Sequence, residues 1–83
     1  MDLDFSRHAQ RRMRHRQITL EMVQAVVEGP DRVTVGLHGD LYDKMVGGHL
    51  LRAVLVKNTD PAIVKTVMWR PDRPVGESNA PRL

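Results

Sequence analysis

The stretch Ser6–Arg16, S-R-H-A-Q-R-R-M-R-H-R, decides how the rest of the chain is read. Ser6 stands where a helix N-cap belongs, with a hydroxyl that can accept from an amide one turn further on. At about 100° per residue, Phe5, Ala9 and Met13 fall within roughly an 80° arc, which is the buried stripe of a helix. His8 and Arg12 lie on one flank of that stripe, Arg11 and His15 continue round the flank, and Arg7, Gln10 and Arg14 face away. Arg16 comes back over the stripe and marks the helix end. His8 and Arg12 are boundary residues, whose stems can pack while their polar ends reach water.

Upstream, residues 1–5, M-D-L-D-F, alternate apolar and acidic side chains and can form a short first strand with Leu3 and Phe5 inward. Downstream, Gln17-Ile18 is a joint. Thr19 is a second N-cap, and Glu21 follows in the first turn, where the helix dipole favours an acid. Leu20, Met22, Val23, Val26 and Val27 make one apolar face against Glu21, Gln24 and Glu28 on the other. Gly29-Pro30 ends this second helix, with glycine at the C′ position and a proline that cannot continue the helix.

After Pro30 the pattern is that of strands. Val33, Val35 and Leu37 alternate with polar or small residues, His38-Gly39-Asp40 turns, and Leu41–Val46 follows. Gly47-Gly48 is the next turn, Leu50–Lys57 reads as a central strand apolar on both faces except at Arg52, and Ile63–Arg70 is the last strand. The expected fold is α+β: a two-helix hairpin on one face of a four-stranded antiparallel sheet, with the other face open. Residues 1–70 make the single domain and 71–83, rich in proline, a flexible tail.

The 83 residues carry 13 Lys and Arg against 10 Asp and Glu, and no cysteine. A chain this short buries only about 60–65% of its unfolded surface, so its core is thin and no disulfide or thiolate–zinc site braces it. With no signal peptide and no apolar run near the roughly 20 residues a span needs, a cytoplasmic protein without a membrane partner is expected. The basic excess is concentrated at Arg7, Arg11, Arg12, Arg14 and Arg16. Guanidinium groups fork onto phosphate, so the cluster points to a polyanion; a solvated helix face fits the same residues.

The motif H-A-x-x-R-M-x-x-R, here His8-Ala9, Arg12-Met13 and Arg16, precedes Ile18-Thr19, a short helix ending at Gly29-Pro30, and strands ending in I-V-K-T-V-M at residues 63–68. This pattern resembles a widespread family of uncharacterised bacterial domains. That family in turn resembles the RelE/ParE toxin superfamily, most closely its BrnT-like branch, over about residues 3–69. The resemblance implies a compact βααβββ toxin fold with an added strand. It also implies a toxin–antitoxin component that acts on RNA or the ribosome and is held by a cognate antitoxin protein. Catalytic side chains vary across that superfamily, and none carries over by position.

Metal-independent RNA cleavage uses the 2′-OH as nucleophile, so no cofactor is expected. It needs a base, a proton donor for the leaving oxygen, and cations beside the phosphoryl oxygens. His8, Arg12 and Arg16 are the catalytic candidates. Arg11, His15, Tyr42, Lys44, Arg52 and Lys65 are candidates for holding RNA or a partner, and the four on strands offer an alternative centre. Each has a plainer reading: His8 as a structural group bonded to a backbone carbonyl, Arg12 and Arg16 as partners of Glu28, Asp31 or Asp43, and Arg52 as edge-exposed or paired. A non-catalytic module that binds a protein or nucleic acid through the basic helix is the rival reading. His8 and His15 lie roughly 10 Å apart along a helix, so a shared metal is not expected.

Overall fold

A computed structural model describes residues 2–71. The chain runs β1 (Leu3–Phe5), α1 (Arg7–Arg16), α2 (Leu20–Glu28), β2 (Arg32–Val35), β3 (Asp40–Val46), β4 (His49–Leu55) and β5 (Ala62–Arg70). The α+β class and the two helices are as expected. The sheet differs: it has five strands in the order β1-β5-β4-β3-β2, and β1 pairs parallel to β5. The meander β2 to β5 is antiparallel throughout. β5 ends the meander and would expose a long row of unpaired backbone groups; Leu3, Asp4 and Phe5 cover its first part at Ala62, Ile63 and Val64. Of the expected tail, only Pro71 lies among the described residues, and it is exposed.

Leu51, Ala53 and Leu55 alternate inward along β4, the middle strand, and are buried under the helices. Their neighbours Leu50, Arg52 and Val54 point to the uncovered face. On β5 the inward residues are Val64 and Val67, three apart, which a regular period of two forbids. A register shift resolves this. Val54 pairs with Thr66 but Leu55 with Val64, leaving Lys65 as the extra residue of a β-bulge.

α1 lies on β5 and β1, and α2 on β3 and β4. Ala9 from α1, Ile18 from the joint, and Val23, Val26 and Val27 from α2 complete the core. Gln17 takes the left-handed conformation (φ 55°) that closes α1, and the Ile18 amide donates back to the Met13 carbonyl at 2.9 Å. Thr19 caps α2 by accepting from the Met22 amide at 3.1 Å. Gly29 ends α2 as its C-cap, with φ −140°, and its carbonyl accepts from Lys44 Nζ at 2.9 Å. The Gly47-Gly48 turn between β3 and β4 has positive φ at both residues, as a two-residue hairpin of this hand requires.

β2 stops at Val35, short of Leu37 in the alternating run, and Val33, Val35 and Leu37 are exposed, because neither helix lies over β2.

The start of α1 is fixed by one side chain. Ser6 Oγ accepts from the Ala9 amide at 3.0 Å and donates to the carbonyl of Lys65, the bulge residue, at 2.7 Å. Ser6 N also donates to the Val64 carbonyl at 3.0 Å. Ser6→Ala removes both side-chain bonds and is expected to destabilise the domain by about 1–2 kcal/mol. Urea unfolding followed by circular dichroism measures it, and Ser6→Asp, which restores only the cap, recovers only part of the loss.

Candidate functional site

The outward side of α1 is a basic surface built by helical geometry. His8, Arg11, Arg12 and His15 stand at i, i+3, i+4 and i+7 and share one side, with Arg7 and Arg14 next round the helix. Arg7, His8, Arg11, Arg14 and His15 are all exposed. Among the described residues, Arg7, Arg11, Arg12 and Arg14 enter no ion pair. The first turn of α1 holds no acid, so Arg7 and His8 sit where the helix dipole disfavours cations. Arg14, His15 and Arg16 in the last turn are favourably placed.

Arg12 and Arg16 are half-buried. Arg12 Nε is enclosed without a hydrogen-bond partner among the described residues, so the stem is packed against the domain. Arg12 does not pair with Asp31 or Asp43, which are taken by Lys44 and by Arg52 and Arg32. His8 is exposed and, among the described residues, bonds no backbone carbonyl, so its structural reading is not met there. The three catalytic candidates are therefore not drawn to one point. His8 and Arg12 are one turn apart on the same side, while Arg16 is turned over the core stripe.

The four strand candidates are also separated. Register places Tyr42 and Lys44 opposite Ala53 and Leu51, on the helix-covered face. Tyr42 packs against the core, and Lys44 serves the end of α2 through the Gly29 carbonyl. Arg52 is on the other face. Its Nε meets Asp43 Oδ1 at 2.7 Å and its Nη2 meets Oδ2 at 3.0 Å. Arg32 Nη2 adds a longer contact to Asp43 Oδ2 at 3.6 Å. Lys65 is exposed on the bulge, and its carbonyl holds Ser6, so of the four it alone is next to the start of α1.

Asp43 is 1% exposed, yet it belongs to the uncovered face of the sheet. Arg52 on β4 and Arg32 on β2 close over it from both sides, so the group is a cross-strand brace rather than a site open to ligand. An open groove of about 790 Å³ runs beside β1, lined by apolar Leu3, Phe5, Met13 and Ile18 with Gln10 and Arg14. Gln10 is held there by donating to the Phe5 carbonyl at 3.1 Å. His8 and Arg12 are not part of it. Sequence reasoning left Arg7 and Arg14 out of the candidate set although the helical wheel already placed them outward. Among the described residues no group of three or more His, Cys, Asp or Glu side chains could hold a metal ion, and no helix is long and apolar enough to cross a membrane.

The chain belongs to a family of domains of unknown function, DUF4258, whose model matches residues 5–69, from the end of β1 to the penultimate residue of β5. No curated protein and no solved structure matches it.

The Asp43 brace predicts an acid-sensitive fold. Bonding from Arg52 holds the Asp43 carboxyl below its ordinary pKa against the opposing effect of burial, with Arg52 and Arg32 charge adding to the shift. A depressed folded-state pKa contributes stability above the unfolded value, near about 3.9, and loses it as pH falls through the folded value. Thermal melts are expected to hold level from about pH 7 to 5 and to fall below about pH 4. Asp43→Asn should flatten that fall and cost about 2–4 kcal/mol at neutral pH, because Arg52 keeps its charge without a carboxylate.

Proposed function

We propose that this domain is a toxin-like bacterial protein that engages RNA through the outer side of α1. The observation that carries the reading is the run of exposed Arg7, His8, Arg11, Arg14 and His15 on one ten-residue helix with no acidic side chain within it. A phosphate chain lying along that side meets guanidinium groups at the spacing of a helical turn, and its charge offsets the cations placed against the dipole in the first turn. The likeness to RelE/ParE and BrnT-type toxins supports the same reading, with a protein antitoxin as the controlling partner.

The chemistry this arrangement offers is transesterification at a phosphodiester. His8 takes the 2′-OH proton, the 2′-oxygen attacks phosphorus, and Arg12 with Arg11 steadies the phosphoryl oxygens. His15, on the same side two turns on, protonates the departing 5′-oxygen. A second reading, a binding module without chemistry, is favoured by one observation: no hydrogen bond orients the His8 ring among the described residues.

Fluorescence anisotropy with a single-stranded RNA separates these readings. Binding is expected to weaken steeply with salt, with a slope of about −0.7 per phosphate contact on a log–log plot. Replacing Arg7, Arg11 and Arg14 together with Ala should lower that slope by about 2, since roughly three contacts are lost. A flat salt dependence overturns the RNA reading. His8→Ala should leave binding within about twofold and lower the cleavage rate by about 100-fold or more. Structured RNA and ribosomes left intact by excess wild-type protein establish the non-catalytic module.

A further inference from the structure

β2 forms the far edge of the sheet, with β3 as its only neighbour. All four of its residues are exposed. Val33 is 45% exposed, Val35 76% and the following Leu37 86%, so three of the five exposed large hydrophobic side chains among the described residues lie on one six-residue span. Register puts Val33 opposite Tyr42 and Val35 opposite Asp40, on the helix face of the sheet but beyond α2.

The opposite edge is defended where β2 is not. β1 has three residues, and the Gln10 side chain occupies its Phe5 carbonyl. The part of β5 that β1 does not reach begins at exposed Lys65 and ends at exposed Arg70. Short strands and charged side chains of this kind keep sheet edges from pairing. β3 is closed as well, beyond the end of β2, because Asp31 Oδ2 accepts from the Met45 amide at 2.9 Å. β2 has no lysine and no bulge, and its one charged residue, Arg32, is turned to the uncovered face beside Asp43.

We propose that β2 is a self-association edge, where two copies of this chain pair their β2 strands antiparallel about a two-fold axis at Thr34 and join their sheets into one. Continuity of the faces requires partners of the same parity, which the axis at Thr34 satisfies. Val33 then lies opposite Val35 of the second copy, and Val35 opposite its Val33. Four valines thus form one cluster on the helix side, and β-branched cross-strand pairs of this kind stabilise a sheet. Thr34 meets Thr34 on the uncovered side. Arg32 falls opposite Gly36, so no like charges face each other, and its Nη2 lies 3.6 Å from Asp43 Oδ2. A strand of strongly acidic or basic sequence finds no run of counter-charge along this edge, where Arg32 is the one charged residue, whereas a second β2 is self-complementary. The patch is smaller than the roughly 800 Å² per partner of a standard interface, so a dissociation constant of tens of micromolar is expected. This inference is independent of the α1 reading: α1 lies over β5 and β1, at the other side of the sheet.

Sedimentation of the full chain from about 5 to 500 µM tests it, since a dissociation constant in this range moves from monomer to dimer across it. The weight-average mass should rise from one chain towards two. Val35→Lys places a charge at an exposed position outside the core, and should weaken the dimer at least tenfold while the thermal melt is unchanged. The natural chain has no cysteine, so Thr34→Cys is a clean probe. Opposed residues in an antiparallel pair have Cα atoms about 4.5–5.5 Å apart, within disulfide reach, so mild oxidation should link Thr34→Cys chains far faster than Glu21→Cys chains. A monomer at every concentration, with Thr34→Cys linking no faster than the control, overturns the proposal and leaves the edge to a strand of another protein. A dimer that Val35→Lys does not weaken overturns it in favour of a different surface.

Discussion

The bulge at Lys65 is the constraint on which the rest of the molecule turns. A regular β5 would send Val64 and Val67 to opposite faces, and one would leave the core. The extra residue keeps both inward and presents the Lys65 carbonyl to Ser6. Ser6 uses that carbonyl and the Ala9 amide together, so a defect in the ladder becomes the anchor of the helix cap. The same anchoring sets the rotation of α1. Ala9 goes down onto the sheet, and the side carrying His8, Arg11 and His15 goes up. The basic surface is thus a consequence of a local irregularity more than three-quarters of the way along the chain.

The arginines divide into two groups by what the fold supplies near them. Arg52 and Arg32 find Asp43 across adjacent strands and close over it, so their charge is spent inside the sheet. Among the described residues Arg7, Arg11 and Arg14 find no acid, because α1 carries none and the strands beneath it present their apolar faces. Pairing in a sheet is set by register and pairing on a helix by spacing of three or four residues. A composition that is only modestly basic therefore yields one face whose arginines meet a carboxylate and one whose exposed arginines meet none among the described residues. That asymmetry underlies the proposed RNA contact, and a net charge alone does not contain it.

The helices were legible because their signals are local. Ser6 and Thr19 cap where capping residues are expected, Gln17 and Gly29 close the ends, and the apolar stripes follow one period. The hairpin at Gly47-Gly48 was legible for the same reason. What was not legible depends on partners far off in sequence. The parallel docking of Leu3–Phe5 against Ala62–Val64 joins residues almost sixty apart, and nothing in M-D-L-D-F names its neighbour. The bulge is hidden because A-I-V-K-T-V-M-W reads as a plain strand in either register. Asp43 and Arg52, nine apart, look like two surface charges until the β3–β4 register makes them opposite. For the candidate site, the helix residues were readable as a face, whereas Tyr42, Lys44, Arg52 and Lys65 were scattered by a register that the alternation alone does not set.

A helix face in open solvent is a demanding place for catalysis, and this shapes what the proposed RNA reaction requires. Histidine as base or acid gains from a neighbour that fixes its ring and from exclusion of water. His8 has no such neighbour among the described residues, and the groove beside β1 is on the other flank of α1. The missing order has to come from the substrate side. A structured RNA or a nucleoprotein surface seated on Arg7, Arg11 and Arg14 would cover His8 and His15, displace water from them and hold them against a backbone phosphate. Free short RNA would supply the charge but not the cover. On this argument the arginines contribute mainly to affinity, the histidines act only once the partner has closed over them, and binding and cleavage separate according to how structured the RNA is.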